Sequence, residues 1–347
     1  MRISHLSLYI FLPVGLVLLG TMVWQVGVAD ILTGFRAVGL WIVPWVLLES
    51  IPILLHTAGW AFCFQSHHCS IQFRQLLLLR LAGSAINQIT PTATIGGEVV
   101  KVFLLASIVP REHATAAVVI DKTSFTVAQT FYLALGMVYL TGRLPLSTEL
   151  QLVLESAFGL VSLVLIGFVA LQRYSLLSKL VHWLSCFNIG RDRLQRLYQH
   201  LIPFEAQIAA YYIAHPWRFG LSLLLHLAAF AFRIVQNFLL LHLLVGAGAL
   251  RFGDIILATV AIEALDQMFF FVPGRLGTFE SVRFTILSTL GIAHVYGLAF
   301  GLIARLESLF WDCAGLLAYA WCTRTWHRLR RVQPVASAST PAPPTPC

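Results

Sequence analysis

Pro91-Thr92-Ala93-Thr94-Ile95-Gly96-Gly97-Glu98 interrupts one long apolar stretch, Ile71 to Pro110. Pro273-Gly274-Arg275-Leu276-Gly277-Thr278-Phe279-Glu280 interrupts another, Phe252 to Ala293. In both, a proline leads to a glutamate seven residues on, and the second copy lies 182 residues after the first. Proline removes a backbone N–H and glycine loosens a helix, so each octet reads as a break in a helical run.

The rest of the 347-residue chain is of the same apolar kind. Hydrophobic residues make up 58% and charged residues 11%, where an ordinary soluble domain carries about 25% charged. Mean hydropathy is +0.81. A soluble fold of this size still exposes much surface to water and cannot hide so much apolar area. The composition therefore excludes a soluble enzyme, a disordered chain and a disulfide-framed secreted domain. The six cysteines are scattered without a CxxC pair. What remains is an all-α polytopic membrane protein.

Crossing a hydrocarbon core takes about 20 apolar residues. Six runs qualify: Leu6 to Val28, Val38 to Phe64 (with Pro44 and Pro52), Thr115 to Leu140, Leu150 to Leu171, Phe219 to Val245 and Val295 to Cys322. The first reads as a retained helix rather than a signal peptide, because it is long and lacks a small-x-small cleavage site. Arg2, the basic segment 172–218 and Arg324 to Arg331 mark the cytoplasmic side. The short segments Ala29 to Ala37 and Thr141 to Glu149 suit the outside as loops. Six crossings put both termini in the cytoplasm, so each interrupted stretch contributes an even number of crossings. Two re-entrant or broken helical hairpins, about 71–110 and 252–293, satisfy this, as would a pair of full crossings in each.

The offset recurs outside the breaks. Val38 maps near Phe219 and Thr115 near Gly297, while Glu49 falls within two residues of matching Arg233, and Asp121 of matching Arg305. Each half then holds three crossings and a hairpin, and an odd number inverts the second half. The expected organisation is a first membrane repeat at 1–149, a second at 150–325 with a cytoplasmic basic loop at 172–218, and a disordered cytoplasmic tail at 326–347. Inverted repeats with broken helices meeting near the midplane are a transporter design.

Ionisable groups in a bilayer are costly and face a partner or a wet cavity. Glu49, Pro52 and His56 share one helical face; so do Arg233, Gln236 and Asn237, with His226 seven residues earlier; Arg305, Ser308 and Asp312 form a third stripe. Asp266 and Glu263 lie in the second hairpin. If a short helix begins at Gly96-Gly97, its free N–H groups favour an anion, and Glu98 complements that end. Lys101 pairs with Glu98 or offers a cation to phosphate; Arg275 and Arg283 flank the second break and suit phosphate. Gly297 and Gly301 form a GxxxG packing pair. The segment 172–218 contains an amphipathic stretch, Leu176 to Leu184, suited to an anionic leaflet. It explains much of the +8 net charge, so no nucleic-acid partner is needed. No P-loop, HExxH or GxSxG occurs, and the compact group His67-His68-Cys69 reads as a loop-end cluster, so no nucleotide, metal or other cofactor is expected.

Asn87-x3-Pro91-x4-Gly96-Gly97-Glu98-x2-Lys101, followed by Leu104-Leu105, resembles the first signature of a flippase-like family. That family is named for the transmembrane region of lysylphosphatidylglycerol synthase. Pro273-Gly274-x2-Gly277-x2-Glu280 resembles its second signature, and Arg305 to Gly315 is similar to its last helix. The resemblance covers about residues 5–325, and the wording Phe271 to Glu280 is most similar to the hopanoid-biosynthesis-associated (HpnL-type) subgroup. Lys101 stands where the family often carries Arg, keeping the charge without the guanidinium fork. The soluble aminoacyl-transfer domain of the large synthases is missing from this sequence.

The resemblance implies lipid translocation. The expectation is an integral protein of a bacterial inner membrane, not an enzyme, moving a polar or anionic lipid headgroup without ATP, a hopanoid-related lipid among the substrates. Membrane lipids are the expected partners, with lipid-biosynthesis enzymes beside them. Glu98 and Glu280 are candidates for headgroup or proton contacts. Lys101, Arg233, Arg275, Arg283 and Arg305 are candidates for phosphate, and Asn87 and Asp266 complete the set. An intramembrane lipid-modifying enzyme and a non-catalytic scaffold are the alternatives.

Overall fold

The computed structural model describes residues 17, 20–64, 71–90, 95–142, 148–174, 179, 183, 191–246, 248, 250–269, 272, 275 and 277–332. Pro91 to Thr94, Pro273, Gly274 and Leu276 of the two breaks lie outside them, as do most of the first run, most of Leu176 to Leu184 and residues 333–347.

Among the described residues the chain is helical, with no strand. Helix α1 (Val28–Val38) leads through a 3₁₀ turn (Gly39–Trp41) into α2 (Ile42–Leu48) and α3 (Ser50–Ala61). The first hairpin follows as α4 (Phe73–Ile89) and α5 (Ile95–Leu105), then α6 (Arg111–Thr141) and α7 (Thr148–Arg173). Next come α8 (Arg191–Ala214), α9 (Pro216–Val245), the second hairpin as α10 (Phe252–Met268) and α11 (Thr278–Thr289), and α12 (His294–Val332). Ile31–Ala61 and Pro216–Val245 are long and apolar enough to cross a membrane by length and composition alone.

Both expected interruptions are present: α4 ends at Ile89 and α5 starts at Ile95, while α10 ends at Met268 and α11 starts at Thr278. The prolines of the second run act as expected too. Pro44 and Pro52 are the third residues of α2 and α3, where a missing N–H costs little, and the helix breaks one turn before each.

Three expectations change. The segment Ala29 to Ala37, expected as an outer loop, lies within α1. Ile31, Phe35 and Val38 form its apolar stripe, and a Cβ on Gly34 would collide with Ala299 of α12. The basic segment is not a loop throughout, because 191–214 form α8. Ile208, Tyr211 and Tyr212 fall at i, i+3 and i+4 and are buried in the same core as α6. The Tyr212 hydroxyl donates to Gln172 Oε1 at 2.9 Å, and that of Tyr211 to the Phe62 carbonyl at 3.0 Å. Finally, α12 runs to Val332, past the boundary expected at 325.

The burial pattern is inverted relative to a water-soluble protein. Leu40 is 90% exposed and Leu317 72%, whereas Asp121 is 2%, Glu280 1% and His226 0% exposed. A broad apolar exterior around buried charge is the surface of a protein dissolved in lipid. Two apolar cores form inside it. One gathers Trp60, Leu79, Leu105 and Ile120 with α8; the other gathers Trp45, Leu240, Ile255, Phe300 and Ile303. A third cluster, Ala128, Tyr132, Phe230 and Val260, joins α6 to α9 and α10. Gly297 and Gly301 let α12 lie against the α11 backbone at Phe284 and Glu280, the packing role expected of that pair.

Candidate functional site

A cavity of about 400 Å³ opens among these helices. Helical spacing selects its lining. From α4 come Arg80, Ser84, Asn87 and Gln88; from α10 come Thr259, Glu263, Asp266 and Gln267. Both sets repeat at three and four residues, so each hairpin turns one polar face inward. Glu49 and His56, then Arg233 and Asn237, then Ser308 and Asp312 line it from the three stripes read in the sequence.

The first hairpin is closed by its own residues. The Gly97 N–H donates to Asn87 Oδ1 at 2.6 Å, tying the start of α5 to the end of α4. This corrects the expected open helix start, since that N–H is already engaged. The arms approach so closely that a Cβ on Gly97 would fall on the Gly83 carbonyl, and one on Gly83 on the Lys101 side chain. Lys101 Nζ lies 3.0 and 3.1 Å from the two Glu98 oxygens. Arg80 Nη2 lies 2.8 Å from both oxygens of Asp121. Both cations sit over the Trp60 ring, 5.5 Å away for Lys101 and 5.6 Å for Arg80. Asn87 acts here as a cap supplied from a neighbouring helix. Asn87→Ala is expected to lower stability by about 0.5–2 kcal/mol, the range for a lost cap, and Asn87→Asp to keep most of it. Thermal unfolding in detergent measures both.

The second hairpin is closed by ion pairs. Glu280 Oε2 accepts from the Gly277 N–H at 3.0 Å, and its carboxylate meets Arg305 Nε at 2.6 Å. Arg305 also donates to the Arg275 carbonyl at 2.8 Å. Arg283 grips Asp266 with two nitrogens at 3.2 and 2.9 Å. The Phe279 ring carries the guanidinium carbons of Arg283 and Arg305 at 3.2 and 4.3 Å from its centre. Arg275, with φ of 48°, donates to Gln88 Oε1 at 3.1 Å, so the second break reaches the end of α4 beside the first.

Between the hairpins, Arg233 Nη2 meets Glu49 at 2.7 Å and Arg233 Nη1 meets Glu307 at 3.4 Å, which also accepts from Gln236. Glu49 and Arg233, matched by offset in the sequence, are thus direct partners. Asp121 and Arg305, matched in the same way, serve different pairs.

Of the expected residues, Asn87, Glu98, Lys101, Arg233, Asp266, Arg275 and Arg283 line the cavity. Glu280 and Arg305 stand behind it as a structural clamp. Arg80 and Glu307 were not singled out from the sequence, and both line the cavity. Arg80 had a signal: a lone charge after Leu76-Leu77-Leu78-Leu79, on one face with Ser84 and Asn87.

Two further cavity groups stand apart from the ion pairs. Among the described residues no carboxylate lies within ion-pair range of Lys122, whose Nζ sits 5.3 Å from the Phe125 ring centre. Glu263 accepts from the Gln129 amide at 3.1 Å and the Gln267 amide at 3.3 Å rather than from a cation.

No solved structure matches the chain. A "UPF0104 membrane protein" of Methanothermobacter thermautotrophicus is 32% identical over 116 residues, which span 33% of this chain and 34% of that protein. The family described as Lysylphosphatidylglycerol synthase TM region matches residues 6–312. A match over that length, on a molecule with an apolar exterior and a charged interior, shows that the chain belongs to the family of the lysylphosphatidylglycerol synthase transmembrane region and is a multi-pass membrane protein.

Proposed function

We propose that the protein is a lipid translocator that gives a polar or anionic headgroup a path through the bilayer without ATP and without breaking bonds. The observation that carries this reading is the charged cavity inside an apolar exterior. Moving a polar head through hydrocarbon is costly unless polar groups replace its water. A groove lined by Gln88, Lys122, Arg275 and Glu263 offers such replacements while the tail stays in lipid.

The two halves form an inverted repeat in this reading. The matched hairpins support it, with first arms of 17 residues each and second arms of 11 and 12 residues. Each hairpin is followed by a long helix, α6 or α12. Rocking one half against the other would expose the cavity to alternate sides. Both termini then face the cytoplasm of a bacterial plasma membrane, as the positive charge of the basic segments suggests. The wording from Phe271 to Glu280 keeps a hopanoid-related lipid among the substrates.

The cations least committed to carboxylates are the best headgroup contacts. Among the described residues Lys122 has none in range, and Arg275 lies 3.9 Å from Asp266. Purified protein in vesicles should speed the exchange of a fluorescent phospholipid between leaflets. Lys122→Ala and Arg275→Ala should each slow it about 10- to 100-fold, the loss of one hydrogen bond to a charge. Exchange no faster than in protein-free vesicles would sink the reading. Accumulation of a modified lipid would favour an enzyme, and activity appearing only with an added biosynthetic enzyme would favour a scaffold.

A further inference from the structure

A second polar system lies beside the ion pairs, where α3 crosses α9. His56 Nδ1 and His226 Nδ1 are 2.8 Å apart. His226 Nε2 lies 3.3 Å from Asp121 Oδ1, and Arg80 holds that carboxylate. His226 is fully buried, whereas His56 and Asp121 line the cavity. The Phe125 and Phe230 rings pack within 5.1 and 5.4 Å of His56. Gly59 makes room for this contact, because a Cβ there would come within 3.0 Å of the His226 ring.

Two facing Nδ1 atoms make a hydrogen bond only when one carries hydrogen and the other does not. His226 Nε2 is close to Asp121 without hydrogen-bond alignment; with a hydrogen on that nitrogen, His226 Nδ1 is the acceptor and His56 Nδ1 the donor. His56 Nε2 is then left as a base. We propose that Asp121, His226 and His56 form a proton-binding site that loads one proton from the cavity and couples it to lipid movement. This rests on the translocator reading for its purpose, but not for its chemistry.

The steps balance. A proton from cavity water adds to His56 Nε2. The hydrogen on His56 Nδ1 passes to His226 Nδ1. His56 is again neutral, now with hydrogen on Nε2, and His226 is an imidazolium beside the Asp121 carboxylate. Release reverses the sequence. A second proton would put hydrogen on both facing nitrogens and remove the bridge. The bridge between α3 and α9 is kept with zero or one proton and reverses its direction on loading, so the single proton changes the charge beside Asp121 rather than the contact.

Burial opposes charge on either ring, and the charges facing the pair further limit it to one proton. Asp121 on α6 favours loading, while Arg80 on α4, Lys101 on α5, Lys122 on α6 and Arg233 on α9 oppose a second cation. Cys63 and Ser222 adjoin the site as neutral groups, 3.5 Å apart.

The test uses the full chain, with ¹⁵N-labelled histidine, in lipid nanodiscs. Two ring signals, identified by their absence from His56→Gln and His226→Gln spectra, should titrate together as one proton as the pH is lowered. The titration itself is read on the wild-type protein, and Asp121→Asn should move both signals. In vesicles, one coupled proton would drive up to a tenfold accumulation of labelled lipid per pH unit of imposed gradient. Both histidine variants should lose that dependence. Ring nitrogens that keep fixed protonation as the pH is lowered overturn the site. A pair that titrates while lipid movement ignores the gradient overturns the coupling and leaves the translocator reading standing. A pair that titrates in a protein that moves no lipid under any condition keeps the site and removes the translocator reading.

Discussion

Arg305→Ala is expected to destabilise the protein by about 3–5 kcal/mol, because it strands the Glu280 carboxylate in the interior. Glu280 is 1% exposed, and both of its oxygens are engaged by Arg305. The same arginine holds the Arg275 carbonyl and covers one face of Phe279, so its loss also loosens the second break. Removing the charge as well as its partner should cost much less. The double variant Glu280→Gln/Arg305→Gln is expected to recover a large part of the lost stability, while Glu280→Gln alone leaves a buried guanidinium and behaves like the single arginine variant. Denaturant unfolding in detergent, followed by tryptophan fluorescence, compares the four proteins. An Arg305→Ala protein as stable as its parent would show that Glu280 reaches water or another cation.

Gly97→Val should be the most damaging single change in the first hairpin. Its side chain points at the Gly83 backbone carbonyl and the Asn87 amide, neither of which is a flexible end that can swing away. Overpacking of this kind costs about 1–3 kcal/mol. The displaced arm also loses the Asn87 cap, for a further ~0.5–2 kcal/mol. Gly159 on α7 provides the contrast, since nothing lies within 4 Å of a Cβ there. Gly159→Ala should be neutral or stabilise by up to about 1 kcal/mol through helix propensity. Paired thermal melts decide it. Equal effects at the two positions would mean that the arms of the first hairpin are not in close contact.

The elements were legible because lipid imposes a simple code. Apolar runs of membrane length marked the long helices, and the two Pro/Gly octets marked the interruptions. Ionisable residues in those runs marked the cavity, because lipid gives them nowhere else to go. Partnership was not legible. Spacing places Arg305 and Asp312 on one stripe, yet Arg305 turns to Glu280 behind the cavity while Asp312 faces into it. Nor does a run of glycines say whether its N–H groups are open. At Gly97 the donor is taken by Asn87, ten residues earlier and on another helix. α1 and α8 were missed because their polar and apolar residues are mixed. A helix with one narrow buried stripe looks like a loop when judged by average hydropathy.

The salt bridges around the cavity have an electrical consequence. Arg80 with Asp121, Lys101 with Glu98, Arg283 with Asp266 and Arg305 with Glu280 are couples of opposite sign held within 3.2 Å. From any distance each couple is neutral. The membrane potential acts on net charge, at about 2.3 kcal/mol per elementary charge for every 100 mV. Helices that carry such couples can shift through the bilayer while doing almost no work against the voltage. These four couples therefore add almost nothing to the voltage dependence of such a movement, which is left to groups outside them such as Lys122.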